Sequence, residues 1–253
     1  MNYPILEFDP ATEALVEPAR VVRPLPGMPK ACVLCFFSEV IEELEAAGRL
    51  TEIHAFHSAI GWHPVYELEQ DGRRAALIHP GVGAPLAAAL FEEAIALGGE
   101  NFIACGGAGV LDGAVPKGHP MVVASAVRDE GVSYHYLAPC REAAASPEAV
   151  AAIESVLRER NIPYDVIKTW TTDAFYRETK GKIAARRAEG CAAVEMEAAS
   201  FFAVAQFRGV KFGQLLYAGD DVSGEVWDPR GWDKNKSARD ALIEIAIEAS
   251  LRL

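Results

Sequence analysis

Short apolar segments alternate with helical segments along most of this chain, and the alternation limits the fold more than any other feature. Each apolar segment has the length of a strand, whereas the intervening segments show the period of a helix. Strands that are apolar almost throughout must be covered on both faces of their sheet. We therefore predict a single-domain α/β fold with three layers, α/β/α, around a mixed central sheet. The predicted strands are 31–37, 51–57, 75–79, 101–105, 120–127, 165–170, 191–195 and 211–218, and the predicted helices are 38–47, 85–97, 147–160, 176–189, 196–207 and 236–251.

The composition narrows the class of protein. Apolar residues make up 51% of the 253 positions, enough for one continuous core. The net charge of −12 and the lack of a basic block argue against a nucleic-acid partner. The apolar run 75–91 is broken by prolines and glycines, so we expect neither a membrane span nor a membrane partner. Five cysteines, an odd number, and the absence of a secretory signal favour a cytoplasmic protein.

Prolines recur through residues 1–29 without a sustained period, and we interpret this part as an extended arm that wraps the domain or a neighbour. Residues 30–253 form the folded domain. Within it, Cys32 and Cys35 have the spacing of metal ligands. Residues three apart on a strand face opposite sides, however, so no metal site is expected.

The run Glu195-Met196-Glu197 places two carboxylates where a buried strand turns into an apolar helix. Buried carboxylates are costly unless they are paired or hydrogen-bonded. An ionised carboxylate at this position can accept two hydroxyl groups at once, as the 2′,3′-diol of a ribose would offer. The alternative is an acid that stabilises the first turn of the helix through the macrodipole.

The run Glu195 to Ala199 resembles the ribose-binding signature of the purine nucleoside and uridine phosphorylase family, which includes hydrolases acting on methylthioadenosine. Further segments resemble this family in the same order along the chain; they are 79–85, 103–110, 172–176 and 217–220. The resemblance implies a nucleoside phosphorylase fold with its catalytic domain at 30–253, no cofactor, and nucleoside and phosphate as substrates. It also implies a homo-oligomer, either a dimer, a trimer or a hexamer.

The resemblance assigns roles to particular residues. Glu197 would hold the ribose diol, with Met196 beneath the sugar. Phe175, next to Tyr176, would stack on the base, although filling the core is nearly as good an account of the phenylalanine. Asp220 would protonate N7 of a purine, although it and Asp221 can also cap the following segment. The run after Tyr176 lacks the glutamine with which uridine phosphorylases read uracil, which disfavours uridine.

Glycines mark two further places at the predicted carboxyl ends of strands, where ligands bind in α/β sheets. The first cluster is Gly81-Val82-Gly83, for which tight turns explain the glycines as well as ligand contact does. The second cluster, 106–109, is expected to line the pocket through Gly106 and Gly107. Neither cluster has the dinucleotide spacing G-x-G-x-x-G, which argues against an oxidoreductase.

The sequence departs from the phosphorylase pattern at the phosphate ligands. Family members offer an arginine and a serine or threonine where this chain has Ala104 and Gly107, and the early phosphate loop is absent. A further arginine, supplied by the neighbouring subunit, corresponds to His57. Glu39 falls near the glutamate with which the family's hydrolases activate water, with Glu42 and Glu43 as competitors and a solvated helix acid as the alternative.

These observations predict an enzyme of nucleoside metabolism and nucleotide salvage. We expect it to cleave the N-glycosidic bond of purine nucleosides with phosphate as the nucleophile. Two alternatives stay open. Water could replace phosphate, which would make the protein a nucleosidase, or the chain could be a nucleoside-binding protein without catalysis.

Overall fold

The computed structural model describes residues 3–253, and its elements follow the predicted alternation. Residues 1 and 2 of the predicted arm lie outside the described range. The strands are β1 (Ala31–Cys35), β2 (Thr51–Ser58), β3 (Gly61–Gln70), β4 (Arg73–Ile78), β5 (Asn101–Val110), β6 (Pro120–Asp129), β7 (Glu142–Ala144), β8 (Asp165–Thr172), β9 (Cys191–Glu195) and β10 (Lys211–Asp221). The α-helices are α1 (Pro18–Val21), α2 (Ser38–Ala46), α3 (Ala84–Leu97), α4 (Pro147–Glu159), α5 (Lys180–Ala188), α6 (Ala198–Arg208) and α7 (Lys236–Ser250).

Glycine and proline set the ends of the helix that follows the first glycine cluster. Helix α3 begins after Gly83, which has φ 89°, and it carries Pro85 in its first turn. It ends at Gly98 with φ 128°. Proline suits the first turn of a helix because an N–H group there has no hydrogen-bond acceptor within the helix. Glycine suits the helix ends because it adopts positive φ values without strain.

The strands form one mixed sheet in the order β10-β6-β8-β9-β5-β1-β4-β3-β2, with β7 on the side of β6. Strand β10 also pairs with β5, in parallel register from Lys211 opposite Asn101 to Ala218 opposite Ala108. The path β5-β10-β6-β8-β9 therefore returns to β5 and closes a five-stranded barrel. Strands β1, β4, β3 and β2 extend this barrel as an open sheet. Parallel and antiparallel pairs both occur, so the predicted mixed sheet is confirmed.

Helices cover both faces of the sheet. On one face α3 and α6 pack around the rings of Phe91, Phe201 and Phe212, with Phe91 and Phe201 at 5.6 Å between centroids. On the other face α2, α4 and α7 bury side chains such as Ile153 and Leu242. Each fully buried aromatic or aliphatic side chain contributes about 1.5–3 kcal/mol to the hydrophobic stabilisation. The predicted α/β/α layers are thus confirmed.

The structure corrects four details of the predicted elements. Strands β3 and β7 were not predicted. Strand β3 lies near the sheet edge and carries polar residues on its exposed side, and β7 has only 3 residues. Gly106, Gly107 and Gly109 lie within β5 and not in a loop after it. The helix predicted from Tyr176 begins at Lys180, after a 3₁₀ turn at Phe175–Arg177. In each case strand pairing or a turn overrode the local pattern.

The described part of the arm, from residue 3, runs over the α3 face of the domain. Val22 and Met28 are buried, and the N–H of Leu25 donates to the carbonyl of Leu97 at 2.9 Å. The arm contains short helical turns at Pro4–Leu6 and Pro18–Val21 and is otherwise irregular. Within residues 3–253, no helix is both long enough and apolar enough to cross a bilayer.

Candidate active site

Glu195 fixes the junction between β9 and α6. Its Oε1 accepts a hydrogen bond of 2.6 Å from the hydroxyl of Thr171 on β8. Its Oε2 accepts from the backbone N–H groups of Glu197 and Ala198, at 2.8 and 2.6 Å. Both oxygens are therefore used to satisfy the free N–H groups at the start of a buried helix.

Glu197 is placed differently, although it is only two residues away. It is 5% exposed, and its Oε1 accepts a hydrogen bond of 2.6 Å from the N–H of Gly83. The positive φ of Gly83 turns this N–H towards the carboxylate. The Oε2 of Glu197 is not held by any of the donors that fix Glu195. Half-buried Met196 lies between the two acids.

Burial raises the pKa of both carboxyl groups, and the charge of Glu195 raises the pKa of Glu197 further. Three hydrogen-bond donors stabilise the ionised form of Glu195, so Glu197 is the group that takes up a proton first. Hydroxyl groups of a ligand that donate to Glu197 would favour its ionised form, as the three donors do for Glu195.

The glycines of β5 make room for side chains of other strands. A Cβ atom at Gly106 would lie 3.1 Å from the ring of Phe36, and one at Gly107 would lie 3.2 Å from the hydroxyl of Tyr217. Gly107 is exposed, although its neighbours along the strand are buried. Solvent therefore reaches the backbone of β5 at Gly107, and we call this opening the cleft.

Asp220 stands beside Gly109 on the same part of the sheet. A Cβ atom at Gly109 would lie 3.4 Å from Oδ1 of Asp220 and 3.1 Å from Cγ1 of Val194. Val194 directly precedes the acid pair, so Asp220 and the end of β9 flank the same glycine. The indole N–H of Trp227 donates to Oδ2 of Asp220 at 2.6 Å.

Phe175 and Tyr176 form an exposed aromatic pair, with centroids 4.1 Å apart. Their exposed fractions are 50% and 87%, so the alternative of a core-filling phenylalanine is not what the structure shows. Glu178 follows on the same turn, and burial together with the charge of Asp220 raises the pKa of Glu178 to about 7. Lys180, which follows this turn, forms an ion pair with Glu225 on the segment between Asp220 and Trp227, so the aromatic pair and Asp220 belong to neighbouring parts of one surface.

Glu39 lies in the first turn of α2 and forms an ion pair with Arg239 of α7. The guanidinium of Arg239 also donates to the hydroxyl of Tyr217 at 3.1 Å and to the carbonyl of Trp232 at 3.2 Å. Arg239 is 8% exposed. Because the Tyr217 hydroxyl also faces Gly107, this network places a cation and a carboxylate behind the cleft.

His57 is the one predicted site residue that the structure leaves apart from the others. It lies exposed on β2, with its ring 4.7 Å from that of Trp62. Strands β1, β4 and β3 separate β2 from β5 in the sheet order. Within one chain His57 does not meet the cleft, and its predicted role in a neighbouring subunit stays a prediction.

Comparison with known proteins identifies the family of this chain. The family model described as "Phosphorylase superfamily" matches residues 30–249. The chain belongs to this superfamily. It is 28% identical over 194 residues to a guanosine phosphorylase of Halorubrum lacusprofundi, covering 76% of this chain and 78% of that protein. It is 29% identical over 183 residues to a purine nucleoside phosphorylase, DeoD-type, of Myxococcus xanthus, covering 71% and 75%.

A solved structure extends the likeness to the whole fold. The purine nucleoside phosphorylase of Toxoplasma gondii, in complex with immucillin-H, superimposes with a TM-score of 0.78 at 20% identity. The alignment covers 91% of this chain and 96% of that one. The family and the fold implied by the sequence motifs are therefore confirmed.

Within this superfamily fold, three functional candidates escaped the sequence reasoning. They are Arg239, Glu178 and Trp227. Arg239 gave no clear signal, since it stands among polar residues, between Ser237 and Asp240, in the first turns of the last helix. Trp227 and Glu178 gave none, because their nearness to Asp220 depends on how two loops fold back.

Proposed function

We propose that this member of the phosphorylase superfamily cleaves the N-glycosidic bond of purine nucleosides, with phosphate as the attacking nucleophile. The observation that carries the proposal is the buried carboxyl group of Glu197 at the start of α6. It is oriented by the N–H of Gly83, while the neighbouring Glu195 already satisfies the helix. An acid that the fold does not need for capping is free to bind a ligand.

The sugar would lie against Glu197, with Met196 beneath it. As the bond between C1′ and N9 stretches, positive charge develops on the ribose ring, which becomes like an oxocarbenium ion. A negative carboxylate close to the ring then stabilises the transition state more than the ground state. The hydrogen bond from Gly83 keeps the carboxylate in place during this change.

The base would stack on Phe175 and present N7 to Asp220. The electron pair of the broken bond moves to the purine, and the proton of Asp220 neutralises it at N7. This requirement applies to purines and not to uracil. The guanosine and purine nucleoside phosphorylases among the relatives support the choice of purine.

The nucleophile would enter through the cleft at Gly107. Ala104 and Gly107 offer phosphate neither charge nor hydroxyl groups, so backbone N–H groups and the cation of Arg239 are the replacements that this chain provides. Phosphate would then compete with Glu39 for the Arg239 guanidinium.

Hydrolysis is the second candidate, and the ion pair of Glu39 favours it. Arg239 holds the carboxylate of Glu39 beside the network that reaches Gly107. A carboxylate in such a place can accept a proton from water. The third possibility, a nucleoside-binding protein without catalysis, has no need of a proton donor at Asp220.

One assay separates these functions. The purified chain is incubated with inosine or guanosine in phosphate-free buffer and again with phosphate, and the products are separated. Ribose 1-phosphate formed only with phosphate supports phosphorolysis, whereas free ribose formed without phosphate means hydrolysis. Glu197→Gln serves as the inactive control. A protein that binds nucleoside but forms neither product would contradict the proposal.

A further inference from the structure

The chain folds back sharply where β10 ends, and this turn carries Trp227. Asp221 and Asp228 exchange two backbone hydrogen bonds of 2.8 and 3.0 Å. Arg230 braces the turn by donating to Oδ2 of Asp221 at 2.7 Å and to the carbonyl of Val115 at 2.9 Å. Residues 221–228 therefore form a braced hairpin, which we call the β10 hairpin.

The β10 hairpin brings the indole of Trp227 back onto Asp220. Its N–H donates to Oδ2 at 2.6 Å, a short hydrogen bond to a carboxyl group. Among residues 3–253, Trp227 is the one side chain that hydrogen-bonds to Asp220. The neighbouring Asp221 is instead used by the hairpin itself, through Ser223 and Arg230.

The indole leaves the second oxygen of Asp220 free. Oδ1 lies beside Gly109, 3.4 Å from the place that a Cβ atom would take, and accepts no hydrogen bond from residues 3–253. The Trp227 ring stays 57% exposed, although an aromatic ring of this size gains from being covered. A flat ligand that reached Oδ1 would lie close to the ring.

We propose that Trp227 is a positioning residue for Asp220, whose indole N–H fixes the carboxyl group and stabilises the charge that it acquires during cleavage. The inference rests on the proposed function, because it assumes that Asp220 meets the leaving base.

The chemistry explains why the donor matters. Cleavage by this route requires that Asp220 take up a proton on Oδ1 when the nucleoside binds. When the bond between C1′ and N9 breaks, its electron pair goes to the base, and that proton passes to N7. The base leaves neutral, and Asp220 becomes a carboxylate. A donor that already points at Oδ2 stabilises the carboxyl group most at that moment, because the negative charge on the group is growing. The indole is a donor only, so it cannot serve as the acid itself.

The test replaces the donor and keeps an aromatic ring. In Trp227→Phe, kcat for inosine should fall about 10- to 100-fold, somewhat less than the loss of a full oxyanion donor, while KM changes less than about threefold. Cleavage of 7-methylguanosine should continue at the parent rate, since its base needs no proton at N7. Val226→Ala, an exposed neighbour on the same hairpin, is the matched control and should behave as the parent for both substrates.

Two outcomes would overturn the inference while leaving the proposed function standing. One is an unchanged kcat for inosine in Trp227→Phe. The other is an equal loss for inosine and 7-methylguanosine, which would mean that the substitution disturbs the site as a whole.

A binding measurement tests the inference even when the parent protein shows no activity. Inosine should change the tryptophan fluorescence of the parent and change it much less in Trp227→Phe. If the parent forms no product but shows this difference, the proposed function fails and the contact between Trp227 and the base site stands. If neither cleavage nor a Trp227-dependent fluorescence change occurs, both fail.

Discussion

The carboxylate of Glu197 accepts a hydrogen bond of 2.6 Å from the backbone N–H of Gly83, a residue 114 positions earlier in the chain. This contact joins the first glycine cluster to the acid pair at the start of α6. It also separates the two acids, because Glu195 makes its hydrogen bonds to Thr171 and to the helix itself. Substitutions at the two positions should therefore have different consequences.

Replacing Glu197 should lower activity strongly and spare the fold. We expect Glu197→Gln to lower kcat/KM for purine nucleosides by about 10²–10³-fold, as for other groups that stabilise transition-state charge. Its unfolding free energy should not fall, because burial penalises the charge that the substitution removes. Parallel kinetics and urea unfolding measure both effects. A complex with bound nucleoside in which Glu197 lies far from the sugar would contradict the assignment.

Replacing Glu195 should instead lower the stability of the fold. Glu195→Ala leaves the hydroxyl of Thr171 and two helix N–H groups without their buried partner, so we expect a loss of about 2–4 kcal/mol in unfolding free energy. Urea unfolding followed by circular dichroism measures it. Glu100→Ala, an exposed acid paired with Lys30, is the control and should cost less than about 1 kcal/mol. Equal costs at the two positions would argue against the capping role.

Asp220→Asn should slow purine cleavage specifically. Without a proton to give to N7, we expect kcat for inosine and adenosine to fall by about 10²–10⁴-fold, the range for general acid catalysis. Nucleoside binding should change much less. 7-Methylguanosine serves as the internal control, because its base leaves without protonation. Parent rates for inosine in this variant would make Asp220 a structural residue.

Glu178 should make stability depend on pH. Its pKa is raised from 4.5 to about 7 in the folded chain, so the native state binds the extra proton between these values. The contribution of this group to stability therefore falls as pH rises from about 4.5 to 7. Glu178→Gln should gain about 1–3 kcal/mol over the parent at pH 8 and little at pH 4.5. Thermal unfolding at both pH values measures this, and a gain independent of pH would refute it.

The oligomeric state is a separate prediction. We expect a homo-oligomer at micromolar concentration, because family likeness implies one and because His57 can reach a cleft only in another copy. Light scattering gives the mass directly. A mass of 27.3 kDa, that of one chain, would contradict it.

The amino-acid sequence determined the layers of this protein and most of its candidate site. Apolar strands of near-continuous hydrophobicity can only be buried between helices, so the α/β/α arrangement follows from the local pattern. The acid pair at the end of β9 and Asp220 near the end of β10 stand out for a similar reason, because a charged group at the end of a buried apolar strand costs free energy unless it is paired or hydrogen-bonded.

Only the tertiary structure decided which hydrogen bonds each of the two acids makes. Glu195 and Glu197 look alike in sequence, and only the contacts with Thr171 and Gly83 distinguish them. The ion pair between Glu39 and Arg239 joins residues 200 positions apart. Closure of the barrel by β10 and β5, and the return of Trp227 onto Asp220, likewise depend on the path of the chain through space. Local periodicity records which face of an element is buried, and it carries no information on the partner that meets that face.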